Sequence, residues 1–192
     1  MRMQTAQQTP MRFIDIHRDP WHALGGEDGL PVSITPAPHL LLDIAQWHAV
    51  RAHWPATTPV GLRLANDQDV EGIAADLPWF ALVVLQFPKW VDGRAYSQAR
   101  LLRSRYRFQG EVRAVGEVLV DMMPLLERTG FDAVLLRHDQ SIDAAERALG
   151  FFRGHYQGDT LDNRPLFAMP AGTTEVLARE PTREFVNAAA AI

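Results

Sequence analysis

The chain has 192 residues, enough for one domain with a sizeable core and too few for two generous ones. Its 47% hydrophobic and 22% charged content is that expected of a soluble globular protein, and a formal charge of -4 excludes general attraction to nucleic acid or to an anionic membrane. Cysteine is absent, which excludes disulfides, thiolate nucleophiles, redox CxxC pairs and cysteine-ligated iron-sulfur clusters.

Residues 1 to 30 read as an N-terminal extension. It starts MRMQTAQQTPMRF, without the apolar centre of about 7 to 15 residues that a secretion signal carries. No later run reaches the roughly 18 apolar residues of a membrane span, so the cytoplasm is the expected compartment. Met11 to Ile16 predict a short edge strand, and HRDPWHALGGEDGLPVSITPAPH is crowded with turn formers. Residues 31 to 155 are expected to form a single α/β core domain and residues 156 to 192 a C-terminal extension. In LLLDIAQWHAVRAHW, Leu40, Ile44, Trp47, Arg51 and Trp54 recur at helical spacing and predict a long amphipathic helix, closed by Pro55 and Pro59.

A regular pattern begins at residue 60. VGLRLA predicts a strand, and Asn66 or Asp67 can cap a helix in which Val70, Ile73, Ala74 and Leu77 share a face. FALVVLQF is apolar almost without interruption, as in a strand covered on both sides. Tyr96, Ala99, Leu102 and Tyr106 make a helical stripe, and EVRAVG is the third strand. The next helix, over about residues 117–129, contains Pro124, which removes an amide donor and so kinks the helix or marks a new start; Gly130 terminates it. DAVLLR is the fourth strand. Ile142, Ala145, Leu149 and Phe152 then mark a helix face, with Asp143 and Arg147 spaced for a surface i,i+4 pair.

Four successive strand and helix units imply a parallel sheet, because crossovers are right-handed. The expected class is therefore α/β: consecutive parallel βα units curled into a TIM-like half-barrel or incomplete barrel. The alternative is an open three-layer α/β sheet, disfavoured because no glycine-rich dinucleotide loop marks a Rossmann fold. A half-barrel has edges to cover, so a homo-oligomer, specifically a homodimer, is expected.

In such folds ligands collect at the carboxyl ends of strands. That rule directs attention to PKWVDGRAYSQARLLR after the second core strand. Lys89 and Arg94 are candidates to hold a small anion, with Asp92 orienting Arg94 or capping the backbone and Gly93 allowing a tight turn. The plainer reading is that Asp92 and Gly93 only make the turn and Arg94 is solvated. Ser97 is either an anion-binding hydroxyl or a helix cap. Arg63, Arg113, Arg137 and His138 lie in or beside the other strands; if they share a mouth with Arg94, several donors converge on an oxyanion. Glu111 could instead pair with one of these arginines and leave a structural network.

Other chemistries find little support. His17 and His22, like His48 and His53, lack the i,i+4 spacing of HExxH, so no metal site is expected. Ser97 has no GxSxG around it. Arg94, Arg100, Arg103, Arg105 and Arg107 do not share one helical face, so nucleic acid is not an expected partner. GDTLDNRPLF, with Asp159, Asp162 and Arg164, reads as a surface or docking loop, and Arg179 and Arg183 around PTREF as partner contacts or exposed packing.

Three blocks, VDGRAYSQARLLR, GEVRAVGEVLVD and LLERTGFDAVLLR, carry a family resemblance over roughly residues 32 to 168. The sequence is similar to the bacterial family catalogued as domain of unknown function 934, often described as probable oxidoreductases involved in sulfite reduction. Asp92, Gly93, Arg94, Ser97, Ala99, Leu102 and Arg103 fill its first motif; Glu111, Arg113, Ala114, Val115, Gly116 and Asp121 the second; Gly130, Phe131, Asp132 and Ala133 the third. Met122 stands where glutamine is frequent, and Trp90 where the family loop has phenylalanine. The resemblance marks Gly116 and Asp121 as structural or orienting positions beside Asp92, Gly93 and Glu111. It implies an accessory protein of assimilatory sulfite reduction that binds a small oxyanion or engages sulfite reductase. The alternatives are an oxidoreductase using a non-covalently bound flavin or nicotinamide, and a dimeric structural scaffold without catalysis.

Overall fold

The computed structural model describes residues 10–24, 34–151 and 158–160. Strands β1 (Arg12–Phe13), β2 (His22–Ala23), β3 (Leu40–Leu42), β4 (Val60–Leu64), β5 (Phe80–Phe87), β6 (Glu111–Gly116) and β7 (Ala133–Val134) form one sheet, in the order β1-β7-β6-β5-β4-β3-β2. Every neighbouring pair is parallel. The crossovers carry helices α1 (Ile44–Val50), α2 (Arg94–Arg100) and α3 (Met123–Thr129) and a 3-10 helix over Val70–Trp79, and α4 (Ile142–Leu149) follows β7. No described helix is long and apolar enough to cross a membrane.

The sheet curls into a half-barrel, and the chain path explains why. β1 and β2 lie on opposite edges, yet only residues 14–21 join them. Seven flat strands at about 4.8 Å spacing would put the edges roughly 29 Å apart, close to the ~30 Å limit of a fully extended link of that length. The link is not extended: Arg18 N donates to Asp15 O at 3.0 Å in a turn. Only a curved sheet brings its two edges within reach.

Alternation along the strands gives the sheet two unlike faces. Leu42, Leu62, Leu64, Val83, Leu85, Phe87, Val112, Ala114 and Val134 pack into the main core with Trp47, Ile73, Ala95, Ala99, Leu102 and Leu126 from the helical layer. The concave face takes the intervening residues, and register places them in rows: Leu41, Gly61, Leu82 and Glu111, then Arg63, Val84, Arg113, Ala133 and Arg12. Leu82, Val84 and Ala133 are buried although they lie outside the main core. Part of their cover is the 14–21 link: the Trp21 ring fills the space over Gly61, where a Cβ would stand 2.9 Å from it, and Asp19 reaches Arg113.

The structure changes several element assignments. Leu40–Leu42 is a strand, not the first turn of a long helix, and α1 begins after it. Asp43 accepts from Gln46 N, and the Gln46 side chain accepts from Asp43 N, so a capping box separates the two elements. The segment after β4 is 3-10, with Asp69 at its start in place of Asn66 or Asp67 as a cap; Val70, Ile73 and Leu77 are buried as expected. The arginine-rich helix ends in a π turn over Leu101–Arg105. Pro124 sits in the first turn of α3 after a short 3-10 helix over Val120–Met122, so it marks a new start. Gly130 ends α3 at φ 97. Asp143 and Arg147 form no ion pair with each other, Ile142 is exposed, and Phe152 lies outside the described residues.

Candidate functional site

The carboxyl ends of β3, β4 and β5 enclose an open cavity of about 580 Å³ lined by Asp43, Ile44, Arg63, Ala65, Gln68 and Gln86. Asp43, Arg63 and Gln86 are placed by the strands. Asp43 follows the last residue of β3, Arg63 is on the concave face of β4, and Gln86 is the only polar residue of β5. Two hydrogen bonds from Gln98 Nε2, each 2.8 Å, hold the β4 exit loop through Ala65 O and Gln68 O. Gln98 is itself buried, and its Oε1 has no hydrogen-bond partner among the described residues. Gln68 Oε1 accepts from Ala65 N at 2.9 Å, and its amide N–H groups make no hydrogen bond among the described residues.

Arg63 is the charged donor of this cavity. It is partly buried and, among the described residues, has no hydrogen bond or ion pair. A guanidinium removed from part of its water with no carboxylate in contact is costly unless a ligand or water completes it. Two strands away on the same row, roughly 10 Å by strand spacing, Arg113 is in the opposite situation. Its side chain is 5% exposed, it donates from Nε to Glu111 at 2.8 Å, and it pairs with Asp19. Glu111 also pairs with Arg12 of β1. Two arginines and two carboxylates thus form a charge-balanced group that ties the 14–21 link and the β1 edge to β6.

The remaining candidates lie elsewhere on the mouth and are mostly engaged. Arg94 makes a two-pronged contact with Asp92, 3.0 Å from Nε and 2.7 Å from Nη2; Arg94 is exposed and Asp92 half-buried. This contact holds the Asp92 carboxyl down to about 2. Asn66 donates to the same carboxylate at 2.7 Å, so the turn of β5 is fastened to the exit loop of β4. Gly93 stands before α2 at φ -85, an ordinary conformation, so it is not required there for a left-handed turn. Lys89, Ser97 and His138 are exposed. Arg137 bonds Asp139 at 2.6 and 2.7 Å and Glu117 at 2.7 Å, which lowers the Asp139 carboxyl to about 2. Asp121 is exposed in the first turn of the Val120–Met122 helix. Gly116 ends β6 at φ 99, with the Phe87 carbonyl where a Cβ would go. Of the arginines expected to converge, Arg63 alone borders the cavity.

Gln68, Gln86 and Asp43 escaped the sequence reading. Gln86 was legible as the single polar side chain at the carboxyl end of an apolar strand. Asp43 and Gln46 have the D-x-x-Q spacing of a capping box, a signal that would have ended the strand at Leu42. A second cavity, about 300 Å³, lies at the opposite strand ends beside Leu77, Phe80, Tyr106 and Phe108, with Arg107 and Gln109 as its polar side chains and no acidic residue in its lining. Among the described residues no group of three His, Asp or Glu side chains is placed to hold a metal ion.

Away from the mouth, the three sequence blocks meet. Arg103, from the first, donates to Gly130 O at 2.9 Å, Phe108 O at 2.5 Å and Gly110 O at 2.9 Å, and pairs with Asp132 of the third. Asp132 in turn accepts from Val112 N of the second at 2.7 Å. The protein is thus an α/β half-barrel of parallel βα units, with a structural knot among its sequence motifs and a polar cavity at its strand ends. The chain belongs to the family described as bacterial protein of unknown function (DUF934), whose model matches residues 61–167. No curated protein matches it.

Proposed function

We propose that this chain binds a small oxyanion group in the cavity at the ends of β3, β4 and β5 and acts as an accessory protein of assimilatory sulfite reduction. The observation that carries the binding part is the Arg63 guanidinium, partly buried at a strand carboxyl end without an acidic partner among the described residues. Gln68 and Gln86 add amide donors around it. The sulfur part rests on the family resemblance, as does engagement of sulfite reductase.

Calorimetric titration with sulfite, sulfate and phosphate tests the binding. A charge-assisted hydrogen bond contributes about 1.5–3 kcal/mol, so Arg63→Gln should weaken binding by roughly 10- to 100-fold. Arg94→Ala should leave it unchanged, because Arg94 is already held by Asp92. Equal affinity in wild type and Arg63→Gln rejects the proposal, as does the absence of heat from every oxyanion tried, inorganic or organic. A pull-down with purified sulfite reductase tests engagement separately.

The pairing of Arg94, Arg103, Arg113 and Arg137 with carboxylates favours a second reading, a dimeric scaffold whose arginines are structural. Sedimentation would read the dimer, and the same titration decides between the two readings.

A further inference from the structure

Building on the oxyanion reading above, we infer that the natural ligand is an amphoteric organic metabolite: an oxyanion bound by Arg63, joined to an ammonium or other cationic donor bound by Asp43. Two observations lead there. The first is size. At about 30 Å³ per water-sized group, a four- or five-atom oxyanion fills on the order of 100 Å³, whereas the cavity measures about 580 Å³. That volume lies within the range of roughly 300–1,000 Å³ typical of small-molecule sites.

The second observation is charge. Asp43 and Arg63 line one cavity, carry opposite charges and form no ion pair with each other or with any other described residue. Asp43 Oδ1 accepts from Gln46 N at 2.8 Å; its other oxygen has no hydrogen-bond donor among the described residues. A bare anion would satisfy Arg63 and be repelled by Asp43. A molecule with both signs satisfies both, and the amides of Gln68 and Gln86 are available for polar atoms between them.

The oxyanion could be a sulfonate, a carboxylate or a phosphate, so the probes are taurine, β-alanine and O-phosphoethanolamine. Each is titrated against its amine-free counterpart: ethanesulfonate, propionate and ethyl phosphate. At least one aminated probe should bind about tenfold tighter than its counterpart. Asp43→Asn is the informative variant, because asparagine also caps helices well and α1 keeps its start while the charge is lost. In that variant the tenfold preference should disappear, and the amine-free anion should bind more tightly as its repulsion is removed.

If the amine-free anions bind with dependence on Arg63 and the ammonium adds nothing, this inference is overturned and the oxyanion reading stands. If neither these six compounds nor the inorganic anions bind, both are overturned. A preference for the amine that survives Asp43→Asn also overturns the assignment to Asp43.

Discussion

Arg103 and Arg63 show what one residue type does in two settings. Arg103 is largely buried, which lowers its basicity, yet four acceptors surround it: three backbone carbonyls and the Asp132 carboxylate. Removing it would strand those acceptors, so Arg103→Ala should cost about 3–5 kcal/mol in urea denaturation. Arg103→Lys should recover little, because a compact ammonium cannot serve a planar fork of acceptors. Arg63 lacks such partners among the described residues and borders a cavity. Its substitution is expected to affect anion binding far more than folding, which comparing urea midpoints with the titration would reveal. The arginines of the family motifs were legible in sequence; which were structural was not, because their acceptors come from distant segments.

At the level of elements, two glycines set how strands meet their neighbours. Gly116 ends β6 in a left-handed conformation against the Phe87 carbonyl, with Glu117 N donating to that same oxygen at 2.8 Å. Gly116→Ala therefore meets both backbone strain and a steric clash, and should destabilise by about 2–4 kcal/mol, measured by denaturant unfolding. Gly61 has a different role: its missing side chain admits the Trp21 ring onto the concave face. Gly61→Leu should displace the 14–24 segment, and hydrogen exchange of its amides should accelerate while that of β5 is retained. Strands β4, β5 and β6 were readable from their apolar runs; β3 was not, since LLL followed by DIAQ satisfies a helical period until the capping box is recognised.

For the whole molecule, curvature and charge act together. The curved sheet brings Asp19, Glu111, Arg12 and Arg113 together on the concave face, where a short link can span it. Stability should fall at both ends of the pH range. Asp92 and Asp139 are held near 2 by Arg94 and Arg137, so their contribution is present above about 3.8 and is lost as pH falls through 2. Urea midpoints of the doubly substituted Asp92→Asn, Asp139→Asn protein should change less over that acid interval. The Tyr96 hydroxyl is pushed up to about 12 by burial, where its ring packs 5.0 Å from that of Phe87. Its contribution is present below about 10 and is lost as pH rises through 12, and Tyr96→Phe should flatten that limb.

The parallel βα class, the positions of three long strands, the stop at Gly130 and the family were legible in the sequence, because these depend on local periodicity, turn chemistry and contiguous motifs, and the lack of a glycine-rich dinucleotide loop favoured the curled half-barrel that the fold shows. The fold itself sets that β1 and β2 take the opposite edges of the sheet, and that Arg113 is neutralised while Arg63 faces a cavity with Asp43, Gln68 and Gln86. The reason is physical: alternation assigns a side chain to a face, but the charge and space it meets there come from strands and links far away in the chain.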